Sequence, residues 1–178
     1  MDLNELINKS NLEDDLLKKQ SEEDEELLEG EIAQFVSFLL DEVEYGIDIL
    51  SVHEILRFPD ITRLPNTPNF ICGVINLRGN VIPVVDVRLR FNLPHAEITE
   101  LTRVIVIETI DKLVGLLVDN VYQVVRLPIN NIDPPSELIE GVSEEFLKGI
   151  GRFSTRLIVI LNLSNILFLE DEEVANTQ

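Results

Sequence analysis

Residues Gly73 to Phe91, GVINLRGNVIPVVDVRLRF, read as a β-hairpin that carries a single charge at its tip. Val74 to Leu77 form a short apolar strand. Gly79 and Asn80 are the turn-forming pair, the glycine tolerating the positive φ that tight hairpins need. In the return strand Val85, Val87 and Leu89 alternate with Asp86, Arg88 and Arg90, a period of two that predicts one buried face and one solvated face. Asn76 and Arg78 are then displayed beside the turn on a rigid support. No nucleophile and no acid–base pair accompanies them, so the stretch reads as a recognition edge.

The composition says what surrounds this hairpin. Of 178 residues, 45% are hydrophobic, there is no Trp, and there are two Tyr and eight Phe. The core is therefore aliphatic with some Phe, and its β-branched excess favours strands. Apolar runs such as Leu113–Val118 and Leu157–Leu161 fall far short of the ~20 residues of a membrane span. The start, MDLNELINKS, lacks the basic and apolar regions of a secretion signal. One cysteine, Cys72, excludes an internal disulfide framework and fits a reducing cytoplasm.

The formal net charge is −19, spread unevenly. Residues 1–30 hold 11 acids against 3 bases, and residues 170–178 hold four acids and no base. Nucleic acid and anionic membrane surfaces are thus poor partners. Residues 1–30 combine Leu3, Leu6, Ile7, Leu12, Leu16 and Leu17 with a solid acidic run at Glu22–Glu26, and read as a disordered arm with transient helix. An amphipathic segment that folds on a partner is the alternative. Residues 170–178 read as an acidic tail.

Between these ends lies a diverged repeat, with approximate halves 31–100 and 101–169. Tyr45-Gly46 is followed by Val52, Arg57 and Pro65; Val114-Gly115 is followed at the same distances by Val121, Arg126 and Pro134. Later, Ile82–Val87 matches Ile158–Leu163 in shape. Each copy is small for a sheet that must protect its edges, and closure into a little barrel solves that. The pattern leaves open which strands close which barrel, an exchange between halves included. In the first half Ile49, Val52 and Leu56 have helical spacing behind Asp48 as cap, predicting a short helix with Glu54 near its end. A second helix is expected from Ser164, as cap, to Leu169.

Catalytic and metal chemistry finds no support in the residues. Cys72 sits in an apolar run and reads as a small core filler. His53 and His95 are too few for a metal site, and His95 follows Pro94 in an exposed loop. The glycines near the hairpin lack the Lys-Ser or Lys-Thr of a phosphate loop. Asp86, Asp119 and Asp133 follow strands or turns, where acids usually cap or face water. No enzyme activity and no cofactor are expected. An enzyme or ligand binder would show a concave site with converging polar groups; an adaptor would show an elongated apolar groove.

Four stretches taken together carry a family resemblance: EYGIDILSVHEI (Glu44–Ile55), TRLPNTPNFICGVINLRGNVIPVVDVR (Thr62–Arg88), LVGLLVDNV (Leu113–Val121) and RLIVILNL (Arg156–Leu163). From about Ala33 to Leu169 the chain resembles the CheW family of bacterial chemotaxis coupling proteins. The resemblance implies two five-stranded β-barrels packed around a hydrophobic groove. It also implies a noncatalytic bridge between the cytoplasmic tips of methyl-accepting receptors and the regulatory domain of the histidine kinase CheA, in arrays beneath the inner membrane. The chain leaves no room for the fusions that carry this domain in CheA or in docking adaptors, so a stand-alone coupling protein is expected. A CheW-like scaffold for a non-chemotaxis receptor or kinase is the alternative.

Residue by residue, the resemblance ties Arg78 and Glu54 to receptor coupling and puts Val52, Ile55, Arg103 and Val104 near the groove; Asn76, displayed beside the same turn, is expected in the receptor contact with them. It places the kinase face around Arg63, Pro65, Asn66 and Thr67.

Overall fold

The computed structural model describes residues 31–135 and 142–167, so the expectations for the arm at 1–30 and the tail at 170–178 lie outside the described residues. The fold is mainly β. Strands β1 (Ile32–Leu40), β2 (Val43–Asp48), β3 (Val52–Arg57), β4 (Ile71–Leu77) and β5 (Asn80–Asp86) come from the first half. Strands β6 (Arg103–Glu108), β7 (Leu113–Val118), β8 (Asn120–Pro128), β9 (Ile132–Asp133), β10 (Leu147–Phe153) and β11 (Arg156–Leu161) come from the second. Each half thus runs hairpin, single strand, hairpin, with the two-residue β9 added before the closing hairpin of the second half. Among the described residues, each half then ends in a helical turn, Val87–Arg90 in the first and residues 163–167 in the second.

These strands form two sheets, ordered β8-β1-β2-β11-β10-β9 and β3-β6-β7-β5-β4. Neither sheet belongs to one half of the sequence. The opening hairpin of each half pairs with the single strand and closing hairpin of the other, an exchange the sequence pattern left open. The exchange has matching seams: β2 runs parallel to β11 with Gly46 opposite Ile160, and β7 runs parallel to β5 with Gly115 opposite Val84. A Cβ would come 3.1 Å from Ile160 Cδ1 at Gly46 and 3.3 Å from Val84 Cγ2 at Gly115, a close approach at both seams that the glycine relieves. The outermost strands of each sheet are consecutive in the chain. β8 leads through a 3₁₀ turn into β9, and β3 leads into Thr62, which bridges to Val74 of β4.

The main core lies between the sheets. Phe38, Tyr45, Phe91 and Phe146 form a ladder through it, with successive ring centroids 5.7, 5.8 and 5.4 Å apart. Aliphatic side chains fill the rest, among them Ile47, Ile105, Ile107 and Leu116 at 0% exposure.

Three sequence expectations are corrected. First, residues 52–57 are strand, not helix. Asp48 does cap, accepting a 2.9 Å hydrogen bond from the Leu50 N–H, but the 3₁₀ turn ends at Ser51. Pairing of Val52–Arg57 with β6 overrides the helical spacing. Second, the terminal helix begins at residue 163, where Asn162 Oδ1 accepts from the Asn165 N–H at 3.3 Å, so Asn162 holds the role expected of Ser164.

Third, the alternation after Val85 is not a strand with a solvated face. The chain leaves the sheet at Asp86, and both Arg88 and Arg90 are buried. Arg88 reaches from that turn to two acids in different sheets' connections. It binds Asp119 through Nε (2.7 Å to Oδ1) and Nη2, Asp41 through Nη2, and the Pro94 carbonyl at 3.0 Å. Arg90 lies over the Phe70 and Phe146 rings and donates from Nε to the Ile166 carbonyl at 3.0 Å. Together these arginines staple the first half to the second. Asp119 is accordingly an ion-pair partner, and not a cap or a solvated acid.

Burial pushes the Asp119 carboxyl up, but hydrogen bonds from Arg88 and the Asp41 N–H, with the Arg88 charge, leave it below the ordinary carboxylate value. A depressed folded pKa stabilises above the unfolded value of about 4 and loses that contribution as pH falls through the folded value. Stability should therefore decline on acidification below about pH 5, and Asp119→Asn should flatten that decline in urea melts taken across this range.

Candidate protein-docking site

The hairpin tip is built by pairing register. Leu77 pairs with Asn80, leaving Arg78 and Gly79 as the two turn residues, with φ of +50° and +88°. This corrects the expected turn pair Gly79-Asn80 by one position: Asn80 is already strand, and Arg78 is in the turn itself. Two consecutive positive φ values suit the right-handed twist of the flanking strands. The Gly79 N–H donates to Asn76 Oδ1 at 3.0 Å, so Asn76 braces the turn. A Cβ on Gly79 would meet nothing within 4 Å, so Gly79→Val should cost strain alone. Equilibrium denaturation is expected to show a loss of about 1–2 kcal/mol.

Arg78 crosses to β3. Its Nη2 donates to Glu54 Oε1 and Oε2 at 2.9 and 3.0 Å, with the Arg78 side chain 71% exposed and that of Glu54 24%. Glu54 holds this position as a strand residue, following a bulge in the β3–β6 pairing at His53. The bulged imidazole stands 4.0 Å from Glu54 Oε1 and 3.9 Å from Glu108 Oε2. The structure thus gathers Asn76, Arg78, Glu54 and His53 into one polar corner.

Beside this corner lies an apolar cleft of about 720 Å³. The β6–β7 turn, including Ile107 and Ile110, forms one wall, and Ser51 with Leu163 and Leu167 the other. The cleft therefore lies between an element of one sheet and the helix that follows the other. Ile110 is fully exposed and Leu50 is 90% exposed. Val52, opposite Ile107 in the pairing, stands at the cleft end of β3, and Ile55 is exposed farther along the strand.

Two expected groove residues are not surface features of the cleft. Val104 is 0% exposed and packs with Ile75, Ile82 and Val84 inside the five-stranded sheet, so it has no side chain to offer a partner. Arg103 pairs with Arg57 at the far end of β3 and donates to the Glu100 and Thr102 carbonyls at 2.6 and 2.9 Å.

Arg63, Pro65, Asn66 and Thr67 share the exposed segment between β3 and β4. Asn66 takes φ +60°, the Thr67 hydroxyl donates to the Leu64 carbonyl at 3.3 Å, and Thr62 bonds Val74 in both directions. Gly73 permits that approach, since a Cβ there would lie 2.1 Å from the Thr62 carbonyl oxygen. The loop is thus pinned to the sheet at its base. Cys72 packs against the five-stranded core, and its thiol is pushed up to about 12, mainly by burial and then by Asp86. It stays protonated at neutral pH and is not a nucleophile.

Sequence reasoning missed Arg88 and Arg90, which set the position of one sheet against the other. In the sequence they match the solvated side of an alternating strand, and their partners Asp119 and the Ile166 carbonyl lie 31 and 76 residues away.

Comparison with known proteins places this geometry. Residues 34–170 match the CheW-like domain. The chain is 38% identical over 138 residues to the chemotaxis protein CheW of Klebsiella aerogenes, covering 78% of this chain and 83% of that one. It is 36% identical over 165 residues to the chemotaxis protein CheW of Helicobacter pylori, covering 89% and 97%. The crystal structure of the scaffolding protein TtCheW from Thermoanaerobacter tengcongensis superposes with a TM-score of 0.70 at 36% identity, covering 74% of this chain and 90% of that one.

Proposed function

This chain belongs to the CheW-like domain family, and from that premise we propose that it is a noncatalytic chemotaxis adaptor that holds two partners at once. One is the cytoplasmic tip of a methyl-accepting receptor; the other is the regulatory domain of the histidine kinase CheA. Its place of work is the cytoplasm, at receptor arrays beneath the inner membrane. Among the described residues, no helix is long and apolar enough to cross a membrane.

The carrying observation is the separation of two unlike surfaces on one body. The loop with Arg63–Thr67 enters β4 at its first residue, and the Arg78 turn follows its last. Because Thr62 pairs with Val74 and Arg63 lies against Gly73, the base of the loop stands about four strand residues, roughly 13 Å, from the Arg78 turn. The receptor tip suits the Arg78–Glu54 corner and its cleft: an apolar helix stripe fits a groove, and an exposed arginine is a common interface anchor. The kinase domain takes the β3–β4 loop. Each contact alone is small, under ~1,200 Å², and the array supplies avidity.

The test is a titration of the CheA regulatory domain into a preformed complex of this protein with a receptor cytoplasmic fragment. A ternary complex is expected. Displacement of the receptor fragment by the kinase domain would sink the two-surface reading.

A further inference from the structure

The helical turns that end the two halves are capped by different side chains. In the first, Asp86 Oδ1 accepts from the Leu89 N–H at 3.3 Å. In the second, Asn162, at the matching repeat position, accepts from the Asn165 N–H at the same distance. An uncharged amide therefore satisfies this cap. The negative charge of Asp86 is surplus to it, and it is expensive where it stands, since the residue is 4% exposed.

Among the described residues, the second oxygen of Asp86 accepts no hydrogen bond. His95 Nδ1 stands 3.7 Å from Oδ2, too far for a hydrogen bond. Asp86 lines a cavity of about 610 Å³ beneath the β3–β4 loop, with Phe58, Leu64 and Ile98 among its apolar walls. The charged groups on the lining are Asp60, Asp86 and Arg63, with His95 beside them. Of these, two are carboxylates and one is a guanidinium. A buried carboxylate with an unused oxygen at an open cavity calls for a cation. No group of three or more His, Cys, Asp or Glu among the described residues could hold a metal ion. An organic cation, with a stem for the apolar walls and a charged head for Asp86, fits instead.

We propose that this cavity binds an alkylammonium or guanidinium group, with Asp86 Oδ2 as its acceptor. The group can come from a free amine or from a basic side chain that a partner protein inserts beneath the loop. The site stands on its own geometry and does not depend on the receptor and kinase assignment.

The test is a ¹H–¹⁵N NMR titration of the full chain with two probes. One is cadaverine; the other is a blocked Gly-Lys-Gly peptide, with its N-acetyl-lysine form as control. Saturable shifts at the Cys72, Asp86 and His95 amides are expected, and the acetylated peptide should be silent. Cadaverine alone acting would indicate a free amine, and the lysine peptide acting would indicate a partner's side chain; either supports the site. Asp86→Asn preserves the cap, as Asn162 does, and should weaken binding at least tenfold. Equal titration of Asp86→Asn would mean general attraction to a chain of net charge −19 and would overturn the proposal. So would the absence of saturable shifts at those three amides in the unaltered chain, a result that holds even if the variant folds poorly.

Discussion

Arg88→Ala should lower the free energy of unfolding by about 3 kcal/mol, the largest single loss expected on this protein outside its apolar core. The side chain is 8% exposed and serves three acceptors from separate parts of the chain: Asp41, Asp119 and the Pro94 carbonyl. Truncation leaves the Asp119 carboxylate, itself only 28% exposed, without its counter-charge. Asp41 is 62% exposed and recovers water, which keeps the loss at the lower end for a broken buried pair. Urea melts should show a lower midpoint with an unchanged slope. Asp119→Asn on the Arg88→Ala background should restore part of the loss, because the orphaned charge is then gone. A loss under about 1 kcal/mol for Arg88→Ala would mean that the stapling of the halves rests on the apolar core alone.

Arg78→Ala should do the reverse, sparing the fold and damaging recognition. Its pairing with Glu54 is solvent-facing, and such pairs contribute about 0–1 kcal/mol to folding. Alanine inherits the same positive φ, so the turn itself changes little. If the corner anchors a receptor helix, binding should weaken about thirtyfold, corresponding to about 2 kcal/mol. Glu54→Ala should act in the same direction and more weakly, by releasing the guanidinium from its set position. Calorimetry of both variants, alone and with a receptor fragment, separates the two effects. Normal receptor binding by Arg78→Ala would move the recognition role entirely to the cleft beside the β6–β7 turn.

The parts legible in the sequence were those decided by local chemistry. The β4–β5 hairpin announced itself through a glycine between two β-branched runs, and the repeat through Gly46 and Gly115, where a Cβ would come 3.1 Å from Ile160 and 3.3 Å from Val84 across the parallel seams. The parts that misled were decided by distant partners. Val52–Arg57 has helical spacing, yet β6 claims it as an edge strand, and β6 lies in the other half of the sequence. Arg88 and Arg90 fitted the solvated side of an alternating strand. Nothing local revealed that Asp119 and the Ile166 carbonyl would arrive to receive them. Val104 shows a related limit at the site: the resemblance puts it near the groove, and its side chain faces the interior of the five-stranded sheet.

The exchange of strands between the halves makes this molecule a covalently joined counterpart of a swapped dimer. A fragment ending near residue 100 would hold β1 and β2 without β8 and β11, and β3 to β5 without β6 and β7. Its way to a complete set of pairings is to borrow from a second polypeptide. Co-expressed halves should therefore reassemble into one particle, while either alone aggregates or pairs with its own kind. A ligand seated on one sheet also cannot loosen that sheet without disturbing strands from both ends of the chain. If the chain works as the proposed adaptor, a signal reaching one sheet would be passed on by displacement of the whole body, as through a washer between two moving parts.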